Sequence, residues 1–132
     1  MNDIVKLNFG QKGLHINAEL SSGYNMFMGD SGTGKSCFFN KLHSYCTSNN
    51  IPVKHITYNN ISDINYRDFK IKCKESKFVI FDNGDLYLTQ DLLEDVISDD
   101  NIILFSVKAA FPYLRNVAMR SVKFDGCELA VF

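Results

Sequence analysis

The segment Gly29-Asp30-Ser31-Gly32-Thr33-Gly34-Lys35-Ser36 constrains this chain more than any other. It matches G-x-x-x-x-G-K-[ST] at every fixed position. Gly29, Gly32 and Gly34 let the backbone turn tightly and aim its N–H groups inward, which makes a cradle for an anion. A helix starting near Lys35 adds free amides and partial positive charge at its N-terminus. In such a loop Lys35 reaches the outer phosphates of a polyphosphate, and the Ser36 hydroxyl holds Mg²⁺. The flanks fit: residues 24–28 read as a strand entering the loop, and an apolar-striped helix leaves it. The candidate binding set is Gly29, Asp30, Ser31, Gly32, Thr33, Gly34, Lys35, Ser36 and the adjoining Cys37.

The rest of the chain alternates strand and helix signals. Residues 4–9 and 14–20 alternate polar with apolar around a turn, so they predict an N-terminal β-hairpin with Leu14, Ile16, Ala18 and Leu20 on one face. The helix after the loop carries Phe38, Leu42, Tyr45 and Cys46 as a stripe and ends before Pro52. Residues 52–58 read as a strand that Asn59-Asn60 ends, and Ser62 or Asp63 is placed to cap a short helix through Tyr66 and Phe69. The run 78–81 is continuously apolar, and 101–105 is so after Asn101, as strands buried on both faces of a parallel sheet are. Between them Thr89 can cap a helix with the stripe Leu92, Leu93, Val96 and Ile97. A helical piece is expected near 109–114, broken by Pro112, and residues 121–124 and 128–132 flank a hairpin turn at Asp125-Gly126-Cys127. The pattern predicts one α/β domain over residues 1–132, with a mostly parallel central sheet, an N-terminal hairpin and C-terminal antiparallel strands.

Composition limits the function classes. At 132 residues, 45% hydrophobic, the chain can bury a real core, and eleven Phe with no Trp suggest packed aromatics and aliphatics. The net charge of −1, with lysines and arginines spread along the chain, leaves no basic nucleic-acid footprint. Cys37, Cys46, Cys73 and Cys127 fit neither a zinc site nor a redox pair, so reduced, buried thiols and a cytoplasmic location are expected. His15, His43 and His55 are isolated in sequence and form no metal-ligand cluster. No signal peptide stands at the start, and no apolar run approaches the ~20 residues of a membrane helix.

A phosphate-binding loop needs a second element, an apolar strand that ends in an acid. Residues 78–82 supply it: Asp82 would sit at the carboxyl edge of the sheet and hold a Mg²⁺-bound water. With these two motifs, Walker A and a Walker B-like strand, the chain resembles a P-loop NTPase of the ASCE division, which includes the ABC and AAA+ ATPases. The resemblance covers about residues 24–106. It implies the three-layer P-loop fold, ATP and Mg²⁺ as ligands, and a further strand lying between the loop strand and the Walker B strand. That strand often ends in a polar residue that senses the terminal phosphate. Residues 102–105 followed by Ser106 match that plan, so Ser106 is the candidate sensor.

The departures matter as much. ABC and many AAA+ members place Glu directly after the Walker B Asp, where this chain has Asn83. Asn cannot take a proton from water at neutral pH, although it can position one. Other ASCE families carry the acid at the end of the strand after the first helix, and residues 57–60 contain none. Asp85 is the best substitute, or else a turn former. No LSGGQ-like signature and no N/T-K-x-D guanine motif occur, and a helical lid has no room after Ser106. The expectation is an ATP-binding domain with slow or partner-dependent hydrolysis, working as a switch or subunit with a protein partner or with itself. Arg115, Arg120 or a neighbouring subunit could supply the missing positive charge, but two simply solvent-facing arginines are the favoured reading. The alternatives are a small-molecule or nucleoside kinase, or a non-hydrolysing nucleotide-binding module.

Overall fold

Polar–apolar alternation at the N-terminus produces the expected hairpin. In a computed structural model, which describes residues 3–28, 34–62, 64–109, 111 and 114–132, β1 (Ile4–Gln11) and β2 (Leu14–Ser21) pair antiparallel from Ile4↔Ser21 to Gln11↔Leu14. Ile16, Ala18 and Leu20 are buried on one face of β2, while His15 and Asn17 on the other face are exposed.

β3 (Gly23–Met28), α1 (Lys35–Ser48), β4 (Val53–Ile56), the single turn α2 (Tyr58–Ile61), α3 (Tyr66–Glu75), β5 (Phe78–Phe81), α4 (Gln90–Val96) and β6 (Ile102–Val107) follow. A one-turn 3-10 helix, Gly84–Leu86, lies between β5 and α4. The chain closes with β7 (Val117–Arg120), β8 (Val122–Asp125) and β9 (Glu128–Val131). One sheet has the order β4-β5-β6-β3-β7, and every neighbouring pair in it is parallel. β6 therefore lies between β3 and β5. Every residue of β5 and β6 is buried, which is why both segments read as apolar runs, interrupted only by Ser106 in β6. The second sheet, β1-β2-β9-β8, is mixed, because β2 and β9 run parallel while the outer pairs are antiparallel.

The parallel sheet has a core on each face. On one side Phe27, Phe78, Ile80, Ile102 and Leu104 pack with Phe38, Phe39 and Leu42 of α1 and with the inner face of the mixed sheet. Phe39, which the sequence stripe omits, is fully buried, and its ring meets Phe27 edge-on at 5.2 Å. On the other side Tyr24, Met26, Val79, Phe81, Ile103 and Phe105 pack with Phe69 and Cys73 of α3 and with Leu92, Leu93 and Val96 of α4. Burial of each large side chain contributes about 1.5–3 kcal/mol.

Several local expectations change. The strand after α1 stops at Ile56, because the next residues form α2, where Asn60 Oδ1 accepts the Thr57 N–H at 2.9 Å. Asn65, not Ser62, caps α3, by accepting the Asp68 N–H at 3.2 Å. Asp63 lies outside the described residues. Thr89 caps α4 as expected, accepting the Leu92 N–H at 3.2 Å. Near 109–114 the described residues form no helix, only a turn in which Leu114 N–H donates to Phe111 O at 3.2 Å. Ala110, Pro112 and Tyr113 lie outside the described residues. Residues 117–120 instead extend the sheet as β7, since pairing with β3 gives their backbone groups partners.

A buried polar cluster ties the two sheets. Asn25 on β3 is fully buried; its Nδ2 donates to Ser21 O at 2.7 Å and Ile103 O at 3.2 Å. Its Oδ1 accepts from Ser21 N at 2.8 Å and from Arg120 Nε at 3.2 Å. Arg120 also pairs with Glu19 at 3.3 Å, with its own side chain 8% exposed.

Candidate functional site

Period-two geometry aims two strand ends at one place. Phe78 and Ile80 on β5, and Ile102 and Leu104 on β6, face α1. The next residues in those rows are Asp82 and Ser106, and the register Phe81↔Phe105 sets them side by side. Both are buried. The Asn83 N–H donates to Asp82 Oδ1 at 3.0 Å and to Ser106 Oγ at 2.9 Å, and Ser106 Oγ lies 3.4 Å from Asp82 Oδ1. From the first turn of α1, Ser36 Oγ donates to the same carboxylate oxygen at 3.1 Å.

The backbone around Asp82 is pinned. Its N–H donates to Ile56 O at 2.9 Å, extending the β4–β5 pairing by one residue. The Tyr87 hydroxyl lies 2.7 Å from Asp82 O and 3.0 Å from Ile56 O. Burial, and secondarily the Asp82 charge, push the Tyr87 pKa well up, so the hydroxyl stays protonated and remains a donor.

These groups surround a cavity of about 300 Å³. The start of α1 brings Gly34, Lys35, Ser36 and Cys37 to it, the end of β5 brings Asp82, Asn83 and Asp85, and the end of β6 brings Ser106. Each of those eight residues was singled out from the sequence, and the fold gathers them around one cavity. Gly29, Asp30, Ser31, Gly32 and Thr33 lie outside the described residues. Gly34, the N-cap of α1, has φ +99° and offers no side chain to the first-turn amides. A Cβ there would run into the Phe124 ring and stand 3.1 Å from Val122 Cγ1. Only glycine fits both the backbone and the space.

The two acid-replacement candidates differ in setting. Asn83 is exposed and left-handed, with φ 51° and ψ 49°, a conformation Asn tolerates better than most residues. Asp85 is exposed, and its Oδ1 accepts the Lys108 N–H at 2.6 Å. Gly84, between them, presses on β6: a Cβ would stand 2.8 Å from Ser106 O.

Sequence reasoning missed Lys108, Val107 and Phe124, which also line the cavity. Lys108 had a usable signal, since it stands two residues past Ser106 and period two returns it to the same side. Phe124 had none, because its place depends on the parallel pairing of β9 with β2. Neither Arg115 nor Arg120 lines this cavity, and Arg120 is not solvent-facing, contrary to expectation. Arg120 is held in the Glu19–Asn25 cluster, and Arg115 lines another cavity beside Gly23 and Tyr24, at the amino end of β3.

Among the described residues no group of three or more His, Cys, Asp or Glu side chains could hold a metal ion. Ser36 and Asp82 offer two oxygen donors, a set that suits a hard cation such as Mg²⁺, which keeps several waters. His43 and His55 are not isolated in space: their Nδ1 atoms lie 3.1 Å apart, joining α1 to β4. His55 Nε2 is buried and has no hydrogen-bond partner among the described residues. Burial pushes the thiols of Cys46 and Cys73 up to about 11 and about 12. Cys37 is half-buried and Cys127 exposed, which corrects the expectation of four buried thiols; none of the four is in a disulfide. Among the described residues no helix is long and apolar enough to cross a membrane. No protein-family model and no curated protein matches the chain.

Proposed function

We propose that this chain is a P-loop NTPase of the ASCE division, with that family's three-layer fold. In this reading it binds Mg·ATP, hydrolyses it slowly or only with a partner, and acts as a nucleotide-controlled switch or subunit. The observation that carries the reading is the 3.1 Å approach of Ser36 Oγ to Asp82 Oδ1. The last residue of the octapeptide and the acid ending an apolar strand meet at one cavity, as a Mg²⁺-nucleotide site requires. The position of β6 between β3 and β5, and the cores on both faces of the sheet, add support.

Lys35 would hold the outer phosphates, with Gly34, Cys37 and the first-turn amides of α1 lining the rest of the polyphosphate. Ser36 and Asp82 would hold Mg²⁺, which neutralises phosphate charge when bound. Ser106, tied to Asp82 through the Asn83 N–H, would sense the terminal phosphate. Asn83 can orient a water without accepting its proton, so slow turnover is expected. The engagement of Asp85 by the Lys108 N–H favours a second reading, a non-hydrolysing nucleotide-binding module. A kinase has less support, because both C-terminal arginines lie away from the cavity.

Calorimetry with ATP, GTP and their diphosphates, with and without Mg²⁺, followed by a turnover assay, tests the reading. Lys35→Ala should weaken triphosphate binding by about 1.5–3 kcal/mol, the value of a charge-assisted contact. Equal affinity in wild type and Lys35→Ala overturns the assignment.

A further inference from the structure

β6 ends at Val107, and the next residue brings a cation to the cavity. Lys108 is exposed and lines the wall that Lys35, Ser36 and Asp82 share. Its backbone is held, since the Lys108 N–H donates to Asp85 Oδ1 at 2.6 Å. Asp85 sits in the 3-10 turn that begins at Gly84, and Gly84 packs against β6 too closely to admit a Cβ. The ends of β5 and β6 are thus clasped together, which fixes the Lys108 backbone relative to Asp82 and Ser106. Neither C-terminal arginine can take the same place: Arg120 is paired with Glu19, and Arg115 lies at the opposite end of the strands.

We propose that Lys108 contacts the terminal phosphate of a bound nucleoside triphosphate and makes the site discriminate triphosphate from diphosphate, with Asp85 as its positioning residue. The proposal rests on the nucleotide reading above. Lys35 approaches from the start of α1 and Lys108 from the strand ends. A cation on the strand side meets the outermost phosphate, which a diphosphate lacks. A lysine suits the task because its ammonium is a compact charge on a flexible stem, and the Asp85 contact fixes the stem's root. Asp85 therefore acts through a backbone N–H rather than as a base.

The test is isothermal titration calorimetry of the full chain with Mg·ATP and Mg·ADP. Wild type, Lys35→Ala, Lys108→Gln, Lys108→Arg, Asp85→Ala and Asp85→Asn are compared, each with its thermal midpoint. Wild type should prefer Mg·ATP. Lys108→Gln should lower Mg·ATP affinity about tenfold to a hundredfold, leaving Mg·ADP affinity and the thermal midpoint unchanged. Lys108→Arg, which keeps the charge, should retain most of the preference. Asp85→Ala should reduce it, while Asp85→Asn, which still accepts the N–H, should keep it. The proposal is overturned if Lys108→Gln keeps the wild-type ratio, or weakens both nucleotides equally, in a protein whose binding does depend on Lys35. A wild type that binds neither nucleotide, or binds both independently of Lys35, overturns the nucleotide reading and this inference with it.

Discussion

Ser36 Oγ donates to Asp82 Oδ1 across 3.1 Å, joining the first turn of α1 to the carboxyl end of β5 over a separation of 46 residues. In the proposed nucleotide reading, these two oxygens are the pair that Mg²⁺ would share. Ser36→Ala and Asp82→Ala should each reduce the Mg²⁺ dependence of nucleotide binding, because each removes an oxygen donor. Affinity measured across a Mg²⁺ titration reads this directly. An Asp82→Ala protein with unchanged Mg²⁺ dependence would move the cation site elsewhere, with Asp85 the next residue to test.

Asn83 sets stability against turnover. At φ 51° and ψ 49°, Asn is tolerated better than Glu, because its short polar side chain can hydrogen-bond the local backbone. Asn83→Glu should lower unfolding stability by about 1–2 kcal/mol through backbone strain, while Asn83→Gly should not. If Asn83 occupies the water-orienting place, the Glu variant should nevertheless hydrolyse ATP faster at similar ATP affinity. A turnover assay paired with urea unfolding separates the two effects. Slower or unchanged hydrolysis in a folded Asn83→Glu protein would remove Asn83 from that role.

Arg120 is a structural tie. Its guanidinium serves Glu19, Asn25 and Ser21 at once, from a side chain only 8% exposed. Arg120→Ala leaves the fully buried Asn25 short of a donor and should cost about 2–3 kcal/mol. Arg120→Lys should recover only part of this, since an ammonium cannot reproduce the planar fork. The urea midpoint at constant slope measures the loss. A loss of nucleotide affinity with unchanged stability would contradict the assignment.

The His43–His55 pair predicts a pH dependence. Burial holds the His55 pKa below its ordinary 6.5, the neighbouring His43 acts in the same direction, and Asp82 opposes them. The unfolded chain takes up a proton near the ordinary value while the folded chain resists it. Stability from this group is therefore full above about pH 6.5 and is lost as pH falls through the lowered folded value. Urea midpoints between about pH 7.5 and 5.5 should fall in wild type and flatten in His55→Gln. Equal slopes in the two proteins would assign the dependence to other groups.

Local chemistry by itself determined most of the elements. Alternation in residues 14–20 marked the inner face of β2, Thr89 marked the start of α4, and unbroken apolar runs marked β5 and β6. Those signals survive in sequence because burial on one face or two imposes a period. Asp82 at the end of β5 was legible for a similar reason, since strand ends constrain residue type. Strand order was implied only through the family resemblance, which put residues 102–105 between the other two strands; no local pattern carries it, and the tertiary structure alone decided which further side chains it gathers. That β6 lies beside both β3 and β5, and so brings Ser106 to Asp82 and Lys108 to the cavity, follows from pairing between distant segments. The same holds for β7, whose short run acquires its state from β3, and for β8, which carries Phe124 against Gly34. Neighbours along the chain cannot encode such contacts, because the hydrogen bonds and packing that stabilise them come from residues tens of positions away.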